Sequence, residues 1–253
     1  MKTVKSDRVR RLVLRHLRDT WIEPLDTAFP HSTLVSRATY SPWYGDSAFM
    51  SAFTTLQPLT LVDIYRCHEI WDLLLQTVYV PGDAIEIGVW KGGTGGLIAA
   101  RLAKLGSAKR VVLCDTFAGV VKASDKDTLY QGGEHAYTSP ESVLTLMQKL
   151  DVLDRVEILQ GIFPEDTAHQ VEHRRFSFCH IDVDTYQSAK DVFDWISPRL
   201  NQHGVVLFDD YGTWGCEGVS CLVEELASRP DYFLLRNLNG HAVLIKLTEA
   251  SNV

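Results

Sequence analysis

No lysine follows the glycine-rich turn of this 253-residue chain, no third glycine completes a dinucleotide fingerprint there, and no apolar run is long enough to cross a membrane. Counted from Gly88, the spacing of a phosphate loop reaches Gly93, but Thr94 stands where the phosphate-binding lysine is needed. Counted from Gly93 and Gly95, the dinucleotide pattern needs a glycine at the place held by Ile98. Five cysteines (Cys67, Cys114, Cys179, Cys216 and Cys221) are odd in number and scattered, with no C-x-x-C pair, which excludes a disulfide framework and a zinc ribbon. There is no excess of bases: 25 Lys and Arg face 32 Asp and Glu, a net charge of −7 that argues against nucleic-acid partners. Internal repeats and low-complexity tracts are also missing. The N-terminus lacks the compact apolar segment of a secretory signal, so a cytoplasmic location and no membrane partner are expected.

The composition, 45% hydrophobic and 23% charged, is that of an ordinary globular protein with one sizeable core. Residues 1–18 are locally basic, with seven Lys and Arg against the single acid Asp7, and read as the wet face of a terminal helix, with Val9, Leu12, Leu14 and Leu17 as its apolar side. Residues 27–58 read as irregular and aromatic-rich, the composition of a lid, and residues 60–79 return to helical spacing. From residue 80 strands and helices alternate. Strands are expected near 84–88, 110–114, 155–160, 176–181 and 204–208, with helices near 93–105, 140–150, 164–172, 185–198 and 217–228. Two more apolar runs, 232–236 and 241–247, flank an Asn-Gly turn and predict an antiparallel pair closing one edge. The expected fold is α/β and Rossmann-like: a mostly parallel seven-stranded sheet, helices on both faces and an antiparallel C-terminal edge strand. Residues 1–79 are expected as a helical and loop cap within the same domain as the core, 80–253. Residues 116–139 read as a loop inserted at the ligand end.

The strand Ala84 to Ile87 breaks at Gly88 into a turn that opens a helix, the arrangement that lets a backbone approach a small adenosine-bearing cofactor. Asp115 ends the next strand, where a carboxylate can accept both hydroxyls of a ribose or else cap the turn at Thr116-Phe117. Gly161 and Phe163 end the third strand and offer a flat apolar contact for adenine, unless Phe163 only packs under the helix expected from Pro164. The sharpest cluster is acidic. One strand runs into Asp182-Val183-Asp184 and another into Asp209-Asp210, so carboxylates converge at the ends of neighbouring strands. Such groups repel one another, and a hard divalent cation removes the conflict. Asp182, Asp209 and Asp210 read as a metal set for Mg²⁺, Ca²⁺ or Mn²⁺, while Asp184 is either a helix cap or a supporting residue. His180, beside Asp182, is either a base or a satisfied core histidine; His135, His203 and His241 stand in loop or turn contexts that assign them no role.

The segments Glu86 to Gly93, Asp115-Thr116-Phe117, Ile181 to Tyr186 and Phe208 to Gly212 occur in an order that resembles the macrocin O-methyltransferase family, a group within the class I S-adenosylmethionine (SAM) methyltransferases. The resemblance covers roughly residues 80–247. It departs at Val183, where the family commonly has glycine, and at the aromatic segment 40–53. It implies SAM and Mg²⁺ as cofactors and methylation of a hydroxyl on a sugar or phenol, with a vicinal diol as the natural chelating acceptor. It implies cofactor binding by Glu86, Gly88, Gly92, Gly93, Thr94, Asp115, Thr116, Phe117, Gly161, Phe163 and Asp182. It also implies metal binding by Asp182, Asp209 and Asp210, with Asp182 as catalytic base. Trp43, Tyr44 and Tyr211 read as substrate contacts. A homo-oligomer is compatible with these features. The alternatives are a metal-dependent hydrolase or phosphotransferase using the same aspartates, or a SAM-binding relative without catalysis.

Overall fold

The computed structural model describes residues 8, 9, 12, 13, 16 and 38–248. They belong to two compact units, Met1–Gly45 and Asp46–Val253. In the first, the described residues between 8 and 16 are helical, with Val9 and Leu12 exposed, and Pro42–Gly45 forms a 3-10 turn that buries Trp43 and exposes Tyr44. Leu14, Leu17 and the remaining N-terminal bases except Arg8 lie outside the described residues.

The second unit is built on a seven-stranded sheet. Its strands are β1 (Asp83–Ile87), β2 (Val111–Asp115), β3 (Val156–Gln160), β4 (Phe176–Ile181), β5 (Leu200–Tyr211), β6 (Tyr232–Asn237) and β7 (Gly240–Lys246), in the order β3-β2-β1-β4-β5-β7-β6. The first five are parallel, and β7 returns antiparallel against both β5 and β6. The chain reverses its direction of travel across the sheet after β3, so a crevice opens between the carboxyl ends of β1 and β4. Helices are α1 (Ser47–Leu56), α2 (Ile64–Thr77), α3 (Gly93–Lys104), α4 (Pro140–Lys149), α5 (Tyr186–Ile196) and α6 (Glu217–Leu226). α1, α2 and α3 pack together, and α5 and α6 form a second pair. Side chains alternate across the pleat, so Ile85, Ile87, Cys179, Ile181, Val206 and Phe208 join the apolar core shared with α5 and α6. All five cysteines are free.

Three expectations are corrected. Residues 47–56 are a helix rather than irregular chain: Asp46 caps it through Phe49 N (2.9 Å) and also takes the Trp71 indole N–H (2.9 Å), while Phe49, Phe53 and Leu56 make a buried i, i+4, i+7 stripe. Aromatic bulk there serves the core. Residues 164–172 form turns and a short 3-10 segment at Ala168–Gln170, because the Asp166 carboxylate captures Ile162 N (2.9 Å) and holds a local turn instead of a helix. Finally, β5 extends to Tyr211, so Asp209 and Asp210 lie in the last residues of a strand and not beyond it. The loop 116–139 carries no helix or strand.

Candidate active site

A cavity of about 290 Å³ lies at the carboxyl ends of the parallel strands. Its floor is made by Gly88 to Trp90 after β1, Asp115 and Thr116 after β2, Gly161 and Phe163 after β3, Asp182 to Asp184 after β4, and Asp209 and Asp210 on β5. Leu59 to Val62 and Arg66 close one side; Gly119 to Val121, Tyr130 and His135, from the inserted loop, close another. Of the cofactor residues expected from sequence, Gly88, Thr94, Asp115, Thr116, Gly161, Phe163 and Asp182 line this cavity. Gly92 and Gly93 lie at the start of α3 beneath it, and Phe117 is buried beside it. Glu86 points elsewhere. It is fully buried on the other face of β1, where Oε1 meets His180 Nδ1 at 2.9 Å, so His180 is a bonded interior histidine. Tyr211 turns its hydroxyl to Glu224 (2.7 Å), and Trp43 and Tyr44 belong to the first unit.

Gly88 is required by contact and not only by composition. Its φ of +87° is a left-handed value, and a Cβ there would fall 1.6 Å from the carbonyl oxygen of Asp182. The turn is then clamped from β2: Asp115 Oδ2 accepts from Val89 N (2.7 Å) and Trp90 N (2.8 Å), and Oδ1 accepts from Phe117 N (2.6 Å). One carboxylate thus shapes two turns. Oδ1 retains lone-pair capacity for a ribose hydroxyl. Substituting Asp115 by alanine removes hydrogen bonds to a charged acceptor, each worth about 1.5–3 kcal/mol. Affinity for S-adenosylhomocysteine, measured by calorimetry, should fall at least about tenfold; an unchanged value would reduce Asp115 to a turn residue.

The carboxylates meet as their strands foretell. Oxygens of Asp182, Asp209 and Asp210 lie within 4.8 Å of one another. Burial and the charges of Asp209, Asp210 and Asp184 push the Asp182 carboxyl well above the usual range, and burial with the charge of Asp209 pushes Asp210 up. Asp184 does not cap α5, whose N-cap is Thr185; it sits at φ +61°, lines the cavity, and is pushed up to about 7 by burial and by Asp210. Asp209 differs. Burial opposes its ionisation, but His241 and Arg66 outweigh it and hold the carboxyl below the usual range. Arg66 Nη1 reaches Asp209 Oδ1 (2.7 Å) and Asp210 Oδ1 (3.1 Å), while its Nε reaches Asp63 (3.0 Å). His241 stands between Glu69 (2.6 Å) and Asp209 (2.9 Å) and is raised to about 9: burial opposes its charge, and the two carboxylates prevail.

Sequence reasoning missed Arg66, Glu69, Tyr130 and the part played by His241. Arg66 and Glu69 look like ordinary polar positions on a helix, and only packing brings them to residues far along the chain. A pH dependence follows from these groups. Asp184 keeps its proton in the folded state up to about 7, against 3.8 for the free group, so the native state binds more protons and stability falls as pH rises through that window. His241, raised from 6.5 to about 9, contributes stability that is complete below 6.5 and lost as pH rises through 9. Thermal unfolding of the metal-free protein should therefore occur at lower temperature at pH 9 than at pH 6. A flat or opposite profile would contradict the buried cluster.

A sequence profile of the macrocin-O-methyltransferase (TylF) family matches residues 59–226. The 8-demethyl-8-(2,3-dimethoxy-alpha-L-rhamnosyl)-tetracenomycin-C 4'-O-methyltransferase of Streptomyces olivaceus is 32% identical over 169 residues, 62% of this chain and 64% of that protein. The mycinamicin III 3''-O-methyltransferase of Micromonospora griseorubida is 32% identical over 149 residues, 54% of this chain and 58% of that protein. The alignments thus span about three fifths of the length of these relatives. Among solved structures, the O-methyltransferase NovP superposes with a TM-score of 0.65 at 24% identity, over 75% of this chain and 82% of that one. The calicheamicin methyltransferase CalS11 gives 0.59 at 20% identity, over 82% and 94%. These structures share the fold. The profile match begins at the cavity-lining Leu59, contains every residue that lines the cavity and covers more than half of the chain; the chain therefore belongs to the macrocin-O-methyltransferase family.

Proposed function

We propose that this protein is a SAM-dependent O-methyltransferase that uses Mg²⁺ and methylates a sugar hydroxyl on a small-molecule natural product. The observation that carries the reading is that one cavity joins the Gly88 turn and Asp115 to the cluster Asp182, Asp209 and Asp210. The donor set suits a hard cation, being all oxygen, mutually repelling and close enough to share one ion. The sugar is favoured by family and by the relatives at 32% identity, one of which has a rhamnosyl group in its substrate's name.

In this reading, the cofactor brings a methyl already made electrophilic by its sulfonium, and a bound cation lowers the pKa of the acceptor hydroxyl. The chain supplies position and proton transfer. The Gly88 turn and Asp115 orient the cofactor, Gly161 and Phe163 offer its base an apolar contact, and Leu59 to Val62 with the 119–135 segment shield the reacting atoms from water. Asp182 is assigned as the proton acceptor. Asp184 is a second carboxylate on the same cavity, and in the cation-free protein burial and Asp210 raise it above the usual carboxylate range. A phosphotransferase would need a cationic side chain to receive phosphate, and Arg66, the arginine lining this cavity, is committed to Asp63, Asp209 and Asp210. Incubation with SAM, Mg²⁺ and a panel of rhamnosides and catechols, followed by mass spectrometry, tests the proposal. Methylated rhamnoside is the expected product; methylation of catechols alone would move the substrate class, and failure to bind SAM would end the reading.

A further inference from the structure

We propose that His241 is a positioning residue for Asp209, and that Glu69 in turn fixes His241. The inference rests on the metal reading given above. It begins with the backbone. The pairing of β5 with β7 is regular from Val205 to Phe208 and then shifts before Tyr211, and Asp210 at φ +58° marks the irregularity. Asp209 therefore sits where the ladder no longer holds it, and its direction must come from side chains. Phe208 is paired with Ala242, so the neighbouring His241 stands beside Asp209, and its Nε2 lies 2.9 Å from Oδ1. The other ring nitrogen, Nδ1, lies 2.6 Å from Glu69 Oε2 on α2.

Glu69 is itself held. Both its oxygens accept from the Asn237 side-chain amide, at 2.8 and 2.9 Å, and Asn237 is paired with His241 across the β6–β7 hairpin. His241 is fully buried, with its ring edge-on to His180 at 6.2 Å. The chain Asn237, Glu69, His241, Asp209 thus runs through the C-terminal hairpin and α2 to the cavity, with each ring nitrogen of His241 set against a carboxylate. Arg66 hydrogen-bonds the same Oδ1, and His241 Nε2 stands within ion-pair distance of it, so both cationic groups lie on the Oδ1 side of the carboxylate. Contacts of this kind orient metal-binding groups and tune their basicity. His241 and Asn237 lie beyond residue 226, outside the segment shared with the family profile.

Two substitutions separate the ring nitrogens. In His241→Gln the side-chain amide reaches about as far as Nε2 and keeps a polar group facing Asp209; in His241→Asn it reaches only as far as Nδ1 and can serve Glu69 alone. Mn²⁺ is the probe, titrated by calorimetry into the full-length protein, with S-adenosylhomocysteine binding as the check on folding. His241→Asn should bind Mn²⁺ at least about tenfold more weakly, whereas His241→Gln retains most of the affinity and both keep cofactor binding. Turnover should follow the same order, with kcat lowered and the KM for SAM unchanged. If both variants bind Mn²⁺ like the wild type, or both lose it equally, His241 does not position Asp209 and the inference is overturned while the metal reading stands. If the wild type itself does not bind Mn²⁺, the metal reading falls and takes this inference with it.

Discussion

Replacing Asp182, Asp209 or Asp210 by asparagine is expected to abolish methyl transfer while S-adenosylhomocysteine still binds. The three carboxylates share one cluster within 4.8 Å, so removing any one lowers the charge that would hold a cation. Asparagine keeps the size and one oxygen, and for Asp209 and Asp210 raised Mg²⁺ should restore part of the activity. Asp182→Asn should resist rescue, because an amide cannot accept the substrate proton at any metal concentration. Asp184→Asn is the informative companion. If Asp184 takes the proton, that variant loses kcat as severely and resists rescue in the same way. Initial rates against Mg²⁺ concentration, with a chelator-treated control, provide the measurement. Full activity after chelation would remove the cation from the mechanism and leave the aspartates as base and turn residues.

Gly88→Ala should be the most damaging single change to the cofactor side of the cavity. The added methyl would overlap the Asp182 carbonyl oxygen at 1.6 Å, and the +87° φ adds strain that alanine does not tolerate. Relief requires β1 and β4 to separate at the point where Asp182 N bonds Ile87 O (2.9 Å). The expected cost is at least about 3 kcal/mol of stability, the size associated with strain at a special backbone position or core overpacking. S-adenosylhomocysteine binding should be lost as well. Urea unfolding and calorimetry read the two effects separately, and a variant with wild-type midpoint and affinity would show that the turn has room the contacts deny.

Much of the site was legible because the chemistry sits at strand ends. Strands β1, β2, β4 and β5 could be recognised from short apolar runs, and a parallel sheet brings the carboxyl ends of those runs to one edge. That alone carries Gly88, Asp115, Asp182, Asp209 and Asp210 to one cavity. The readings that failed depended on local competition. The Phe49, Phe53 and Leu56 stripe was blurred by the other apolar residues around it, Ala48, Met50 and Ala52, and became a helix through the Asp46 cap, whereas the expected helix after Pro164 gave way to the Asp166 turn.

The sequence by itself determined the succession of strands along the chain, the exclusion of phosphate-loop and dinucleotide turns, and the convergence of acidic residues, since each follows from period, spacing or glycine placement along one stretch of chain. Only the tertiary structure decided how those acids differ from one another. Asp209 is held ionised by Arg66, 143 residues earlier, and by His241 on the returning strand, while Asp182 and Asp184, buried beside like charges, are pushed the other way. The reason is physical: the pKa and direction of a carboxylate depend on distances of a few ångströms to groups from any part of the sequence, and those distances exist only once α2, β5 and β7 have packed.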